Sequence, residues 1–178
     1  MATAKTVLGY IEQRELRFMR RVNRWHAPRA VRIAMVVMTR LGDGLLWYSL
    51  ALFVLIFGGA RGIHAFLTGG VAALVAIGLF RQIKRISRRP RPCHIEPHCW
   101  ASIVPPDQFS FPSGHAMTSF AIAVSLGHFY PEFQPLLLAS ALSVAVSRVV
   151  LGMHFLTDVM VGALIGIGLA ILSIWMLA

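Results

Sequence analysis

Five long apolar stretches dominate this sequence, at about 45–60, 62–83, 114–131, 136–153 and 155–177. A helix that crosses a bilayer needs about 17–25 mostly apolar residues, since hydrocarbon offers no partner to a free backbone N–H or C=O. A chain laid out this way is confined to a bundle of membrane helices. Composition agrees: 57% of residues are hydrophobic and 13% charged, where soluble domains run near 45–50% and 25%. Mean hydropathy is +0.69. The expected fold is all-α, a polytopic transmembrane helix bundle of about five spans, six being the alternative. Residues 1–178 form one domain on this reading. The first stretch is short, so its ends are the hardest to draw. The tight linkers at 60–62 and 132–136 favour antiparallel neighbours.

The net charge is +10 and the pI about 11.3. A basic pI alone would suit a nucleic-acid binder. Here the charge sits in two blocks between apolar runs, which points to anionic lipid or phosphate and against nucleic acid. No cleavable signal is expected, because Lys5, Arg14, Arg17 and Arg20 accompany no apolar core. Residues 1–30 alternate Val7, Leu8, Ile11, Leu16, Met19 and Trp25 with Arg14, Arg17, Arg20, Arg21 and Arg24. That pattern predicts an amphipathic helix in the interface plane. Val31–Thr39 is apolar but short, bounded by Arg40 and Gly42-Asp43-Gly44, and is expected to be interfacial or re-entrant. Residues 1–43 thus form an interfacial N-terminal segment.

The one long polar stretch, 84–113, joins the second and third spans. A long loop in a compact protein is usually functional or disordered, and three motifs decide for function. The first runs from Lys84 to Arg91-Pro92. The second is Pro112-Ser113-Gly114-His115. The third is Ser147-Arg148, then His154 and Asp158. Counting crossings brings all three to one membrane face.

The residue types suggest phosphoryl transfer. His154 and Asp158 are four apart and would share a helical face. A carboxylate there fixes the tautomer and leaves the other ring nitrogen free to attack. A charge within an apolar helix costs at least about 2.5–3.5 kcal/mol, so Asp158 needs a role. Orienting His154 is one, and pairing with Arg148 is the structural alternative. Ser113 reads as a cap with Pro112 in the first turn, and the Gly114 amide is open to a phosphate. His115 could protonate a leaving oxygen. Lys84, Arg91 and Arg148 supply the fixed positive charge that a phosphoryl group needs. Arg85, Arg88 and Arg89 are read only as interfacial anchors.

These residues resemble the phosphatidic acid phosphatase type 2 (PAP2) superfamily, membrane lipid phosphatases related in their site to vanadium haloperoxidases. The family signatures are Lys, six residues, Arg-Pro; Pro-Ser-Gly-His; and Ser-Arg, five residues, His, three residues, Asp. Each signature position is present at that spacing, and the likeness in span layout covers roughly 30–177. The resemblance implies that His154 forms a phosphohistidine, that Asp158 orients it, and that His115 protonates the leaving group and then activates water. It implies that Lys84, Arg91, Ser113, Gly114 and Arg148 hold the phosphate oxygens, and that no metal or cofactor takes part. Candidate substrates are undecaprenyl diphosphate, phosphatidylglycerol phosphate and phosphatidic acid. Alternatives are a lipid phosphotransferase using the same site, or a non-enzymatic lipid transporter. Many members look six-spanning, with a helix ahead of the segment matching Arg14–Gly44, which here looks missing.

The expected location is a bacterial inner membrane, and the side of the site is open. Of 17 basic residues nine lie in 1–43, and Arg61 lies on the opposite side. The positive-inside bias would put the site in the cytoplasm, whereas bacterial relatives usually act in the periplasm. Cys93 and Cys99 bracket His94 and His98. A disulfide would suit an oxidising side; free thiols or a zinc site are the other readings. His26, His64 and His128 are read as interfacial or packed.

Overall fold

The computed structural model describes residues 13–22, 24–25, 27–95 and 107–178. Among these the chain is helical and has no strand, with one isolated bridge between Pro90 and Phe109. After a helical stretch at 13–22, α1 (Arg29–Arg40) runs through a π turn (Leu41–Leu45) into α2 (Leu46–Phe57). Then follow α3 (Gly59–Ser87), the short α4 (Pro92–Ile95), α5 (Gly114–Phe129), α6 (Gln134–Val150) and α7 (Leu156–Leu177).

Among the described residues, four helical runs are long and apolar enough to cross a membrane: Arg29–Phe57, Gly59–Ser87, Pro131–Val150 and Leu156–Leu177. The third expected span, α5, is not among them: it has only 16 residues, about 24 Å of helix. It is the centre of the bundle, packed by α3, α6 and α7. Its buried residues are mostly Gly, Ala and Ser, so neighbouring backbones come close. α7 does so through Gly162 and Gly166. A Cβ on Gly162 would lie 2.6 Å from the Ser113 carbonyl oxygen, and one on Gly166 2.2 Å from that of Met117. On the outside, Tyr48, Leu52, Phe53, Leu74, Leu164 and Trp175 are exposed, as lipid solvation requires.

Residues 31–39 do not turn back as a re-entrant segment. They continue through the π turn into α2, and the expected break at Gly42-Asp43-Gly44 is a kink instead. Gly44 has φ 136°, a conformation that side chains rarely adopt. Gly42 packs so tightly that a Cβ would sit 2.5 Å from Val144. The N-terminal stretch also differs from its expected place. Met19 is buried with Ala116, Ala145, Val149, Phe155 and Val159, and Leu16 packs beside it. Its apolar face therefore covers protein, while Arg14, Arg17, Arg20 and Arg21 stay exposed.

Candidate active site

All eight sequence-predicted site residues lie at the end of the bundle where α3 and α6 finish and α5 and α7 begin. Lys84 is in the last turn of α3, which ends at Arg88 in the left-handed region, φ 47°. Arg91 follows, 1% exposed. Arg148 lies in the last turn of α6 and is 2% exposed. Ser113 caps α5, its Oγ accepting from the Ala116 amide at 3.4 Å. Pro112 stands one residue ahead of that cap rather than in the first turn. The Ser113 amide donates to the Asp158 carbonyl at 2.9 Å, which ties the starts of α5 and α7 together. A Cβ on Gly114 would meet the Phe80 ring at 3.0 Å, so a side chain there would push into that ring.

His154 is not on a helix, contrary to the shared helical face expected from its spacing. It lies in the turn 151–155 between α6 and α7, with its amide and that of Met153 both donating to the Arg148 carbonyl. Asp158 occupies the first turn of α7. Its Oδ2 accepts from the Phe155 amide at 2.8 Å and stands 3.7 Å from His154 Nδ1. The His–Asp pair therefore meets, though beyond hydrogen-bond length. Arg91 Nη1 lies 3.1 Å from His154 Nε2 and donates to the Met153 carbonyl at 2.8 Å. Arginine only donates, so Nε2 is the acceptor and the proton of the neutral ring sits on Nδ1. Burial, then the charge of Arg91, holds this imidazole well below the usual histidine value. It is neutral near pH 7, with a lone pair on the nitrogen that faces the cations.

Three acidic residues here were not singled out as site residues from sequence. Asp107 bridges the two cations of the first motif: Oδ2 is 2.7 Å from Lys84 Nζ and Oδ1 2.8 Å from Arg91 Nη2. Its carbonyl accepts from Arg91 Nε at 2.8 Å. Asp43, delivered by the π turn, places Oδ1 2.8 Å from His115 Nε2 and 4.0 Å from Arg148 Nη1. A signal for Asp43 was present, since a carboxylate between two glycines in apolar surroundings needs a reason. Glu15 binds Arg89 and Thr157. No local pattern marks Glu15 or Asp107, because their partners are remote in sequence.

The structural alternative for Asp158, pairing with Arg148, is replaced by a pair with Arg89 at 2.6 Å. Arg148 instead donates to Thr39 Oγ1 at 2.7 Å. Arg148 Nε and His154 Nδ1 are buried with no hydrogen-bond partner among the described residues. The open Arg148 donor marks a place for an acceptor, whereas His154 Nδ1 faces Asp158 Oδ2. Two cationic forks, a helix N-terminus and a neutral imidazole thus gather at one end of the bundle, a donor set that suits an oxyanion. Among the described residues no three His, Cys, Asp or Glu side chains group as metal ligands. Cys99 and His98 lie outside the described residues, so the disulfide and zinc readings fall there too.

A profile of the PAP2 superfamily matches residues 62–178. The decaprenylphosphoryl-5-phosphoribose phosphatase of Mycobacterium tuberculosis (strain ATCC 25618 / H37Rv) is 38% identical over 100 residues, 56% of this chain and 54% of that protein. This chain therefore spans about half the length of the relatives matched first. The undecaprenyl-diphosphatase of Sulfolobus acidocaldarius is 30% identical over 141 residues, covering 79% of this chain and 68% of that protein. The crystal structure of Aquifex aeolicus LpxE superposes with a TM-score of 0.71 at 28% identity, covering 90% of this chain and 94% of that one.

Proposed function

Because this chain belongs to the PAP2 superfamily, we propose that it is a membrane phosphatase that removes phosphate from a lipid phosphate or diphosphate through a phosphohistidine. His154 Nε2 attacks phosphorus and forms the P–N bond as the P–O bond to the lipid breaks. His115, held by Asp43, gives the leaving oxygen its proton. Water, deprotonated by His115, then attacks the phosphohistidine and releases phosphate. Asp158 keeps the Nδ1 proton of His154 in place and stabilises the charge that builds on the ring.

Lys84, Arg91, Arg148, the Ser113 hydroxyl and the Gly114 amide would hold the phosphate oxygens. Their fixed charge and dipole favour the transition state over water. No step needs a metal. The observation that carries this reading is the geometry of His154: Nε2 lies 3.1 Å from Arg91 Nη1, and Nδ1 is backed by Asp158 Oδ2 at 3.7 Å. The first matched relatives act on a decaprenylphosphoryl sugar phosphate, and another is an undecaprenyl-diphosphatase. Polyprenyl phosphates are therefore the first substrates to try, in a bacterial inner membrane, with phosphatidic acid and phosphatidylglycerol phosphate next.

His154→Ala should abolish release of labelled phosphate from such lipids while the protein elutes as wild type in detergent. Wild-type turnover by that variant would remove His154 as nucleophile. Vanadate, a mimic of five-coordinate phosphorus, should inhibit, and chelators should not. Complete loss in chelator with recovery on zinc would restore a metal mechanism.

A further inference from the structure

Arg89 falls at one of the six unspecified positions of the first signature and Glu15 lies outside all three, and neither is given a task in the reaction above. Their geometry gives them one. Arg89 Nη1 donates to Asp158 Oδ1 at 2.6 Å and to Thr157 Oγ1 at 2.9 Å. Its Nη2 donates to Glu15 Oε2, and the guanidinium lies 4.2 Å over the Phe155 ring. Glu15 Oε1 accepts from the Thr157 amide at 2.9 Å and its hydroxyl at 2.7 Å. That amide is one of the unpaired donors at the start of α7, so Glu15 caps the helix from another part of the chain. Glu15 is 8% exposed and Asp158 fully buried. Burial works against the charge of Arg89, but the carboxylates of Asp158 and Glu15 outweigh it and raise its pKa.

The consequence concerns the direction of the Asp158 carboxylate. Its Oδ2 is held by the Phe155 amide and its Oδ1 by Arg89. With both ends held, Oδ2 faces His154 Nδ1. With Oδ1 released from Arg89, the buried carboxylate keeps the Phe155 amide and the Ser110 hydroxyl but loses its charged partner, and is freer to turn or to take up a proton.

We infer that Arg89 and Glu15 are positioning residues: Glu15, on the N-terminal stretch, holds Arg89, and Arg89 holds Asp158 toward the nucleophile. The helical stretch at 13–22 is then part of the catalytic unit rather than only a membrane-surface anchor. Its docking through Met19 and Leu16 sets where Glu15 stands. The inference rests on His154 being the nucleophile and Asp158 its orienting group.

The test uses full-length protein in detergent micelles with a short-chain phosphatidic acid. Glu15→Gln, Arg89→Ala, Arg89→Lys and His154→Ala are compared, and the first two are repeated on an Asp158→Asn background. Arg89→Ala should lower kcat about 10–100-fold, by analogy with the outer partners that orient metal-ligating side chains, with KM within about twofold. Glu15→Gln should lower kcat less, and Arg89→Lys should recover part of the loss. On the Asp158→Asn background neither should lower kcat further, because residues acting through one group are not additive. Vanadate should inhibit Arg89→Ala as it does wild type. Wild-type kcat in Glu15→Gln and Arg89→Ala, with His154→Ala inactive, overturns this inference alone. Full activity in His154→Ala instead overturns the phosphohistidine reading. Losses that add on the Asp158→Asn background, or that come with lost vanadate affinity, mean general damage and also refute positioning.

Discussion

The Asp107 carboxylate occupies the two cations proposed to grip phosphate, 2.7 Å from Lys84 and 2.8 Å from Arg91. Burial opposes its charge, but the bonds and charges of Lys84 and Arg91 together outweigh that, so the carboxyl sits below the usual carboxylate range. It stays ionised through mild acid, and a phosphate oxygen entering the cradle must displace it. Asp107→Asn should therefore lower the vanadate inhibition constant, by up to about tenfold if ~1.4 kcal/mol of competition is removed. A weaker inhibition constant would mean that Asp107 holds the cations in place. His154 sets a second expectation. Its value lies below the usual histidine value of about 6.5, so Nε2 keeps its lone pair until the pH falls below that value. The acid limb of kcat/KM, a free-enzyme property, should lie below pH 6.5, and a limb above it would contradict a buried neutral nucleophile.

At the level of elements, α5 and α7 meet backbone to backbone, and this contact sets the Ser113 cap against the first turn of α7. Gly166 has the least room: a Cβ would lie 2.2 Å from the Met117 carbonyl oxygen. Gly168, two residues on, has no atom within 4 Å of its would-be Cβ. Gly166→Leu should then lower detergent stability by about 1–3 kcal/mol or more, as overpacking does, and reduce activity. Gly168→Leu should leave both near wild type. Thermal unfolding in detergent reads both, and equal effects would show that the close approach does not matter. The π turn works similarly, since Gly42 and Gly44 allow a kink that brings Asp43 to His115.

Across the whole molecule, apolar faces point outward and the polar groups gather at one end, so the bilayer acts as the solvent that sorts them. The far end holds Arg61, bound to the Phe129 carbonyl and paired with Glu132 at 3.6 Å. The N-terminal stretch lies at the site end, through Glu15 and Met19. Among the described residues, eight basic residues of 13–43 and seven between Arg81 and Arg148 therefore oppose Arg61. By the positive-inside bias the site end should face the cytoplasm. In a chain with Cys93 and Cys99 replaced by Ser, Arg61→Cys should react with an impermeant thiol reagent in intact cells. Arg88→Cys, exposed at the site end, should react only in inside-out vesicles. The reverse pattern would place the site outside.

The apolar runs and the three spaced motifs were enough to determine the membrane bundle and the convergence of Lys84, Arg91, Ser113, Gly114, His115, Arg148, His154 and Asp158 at one end. Span length and crossing number are properties of the linear chain, so they can be read from it. Only the tertiary structure decided which charges meet. The partners of Asp158, Lys84 and His115 are Arg89, Asp107 and Asp43, the members of each pair standing 23–72 positions apart in sequence. Periodicity along one helix carries no record of such contacts. They arise from how α3, α5 and α7 pack and from a kink that two glycines permit, and both are settled by close packing in three dimensions.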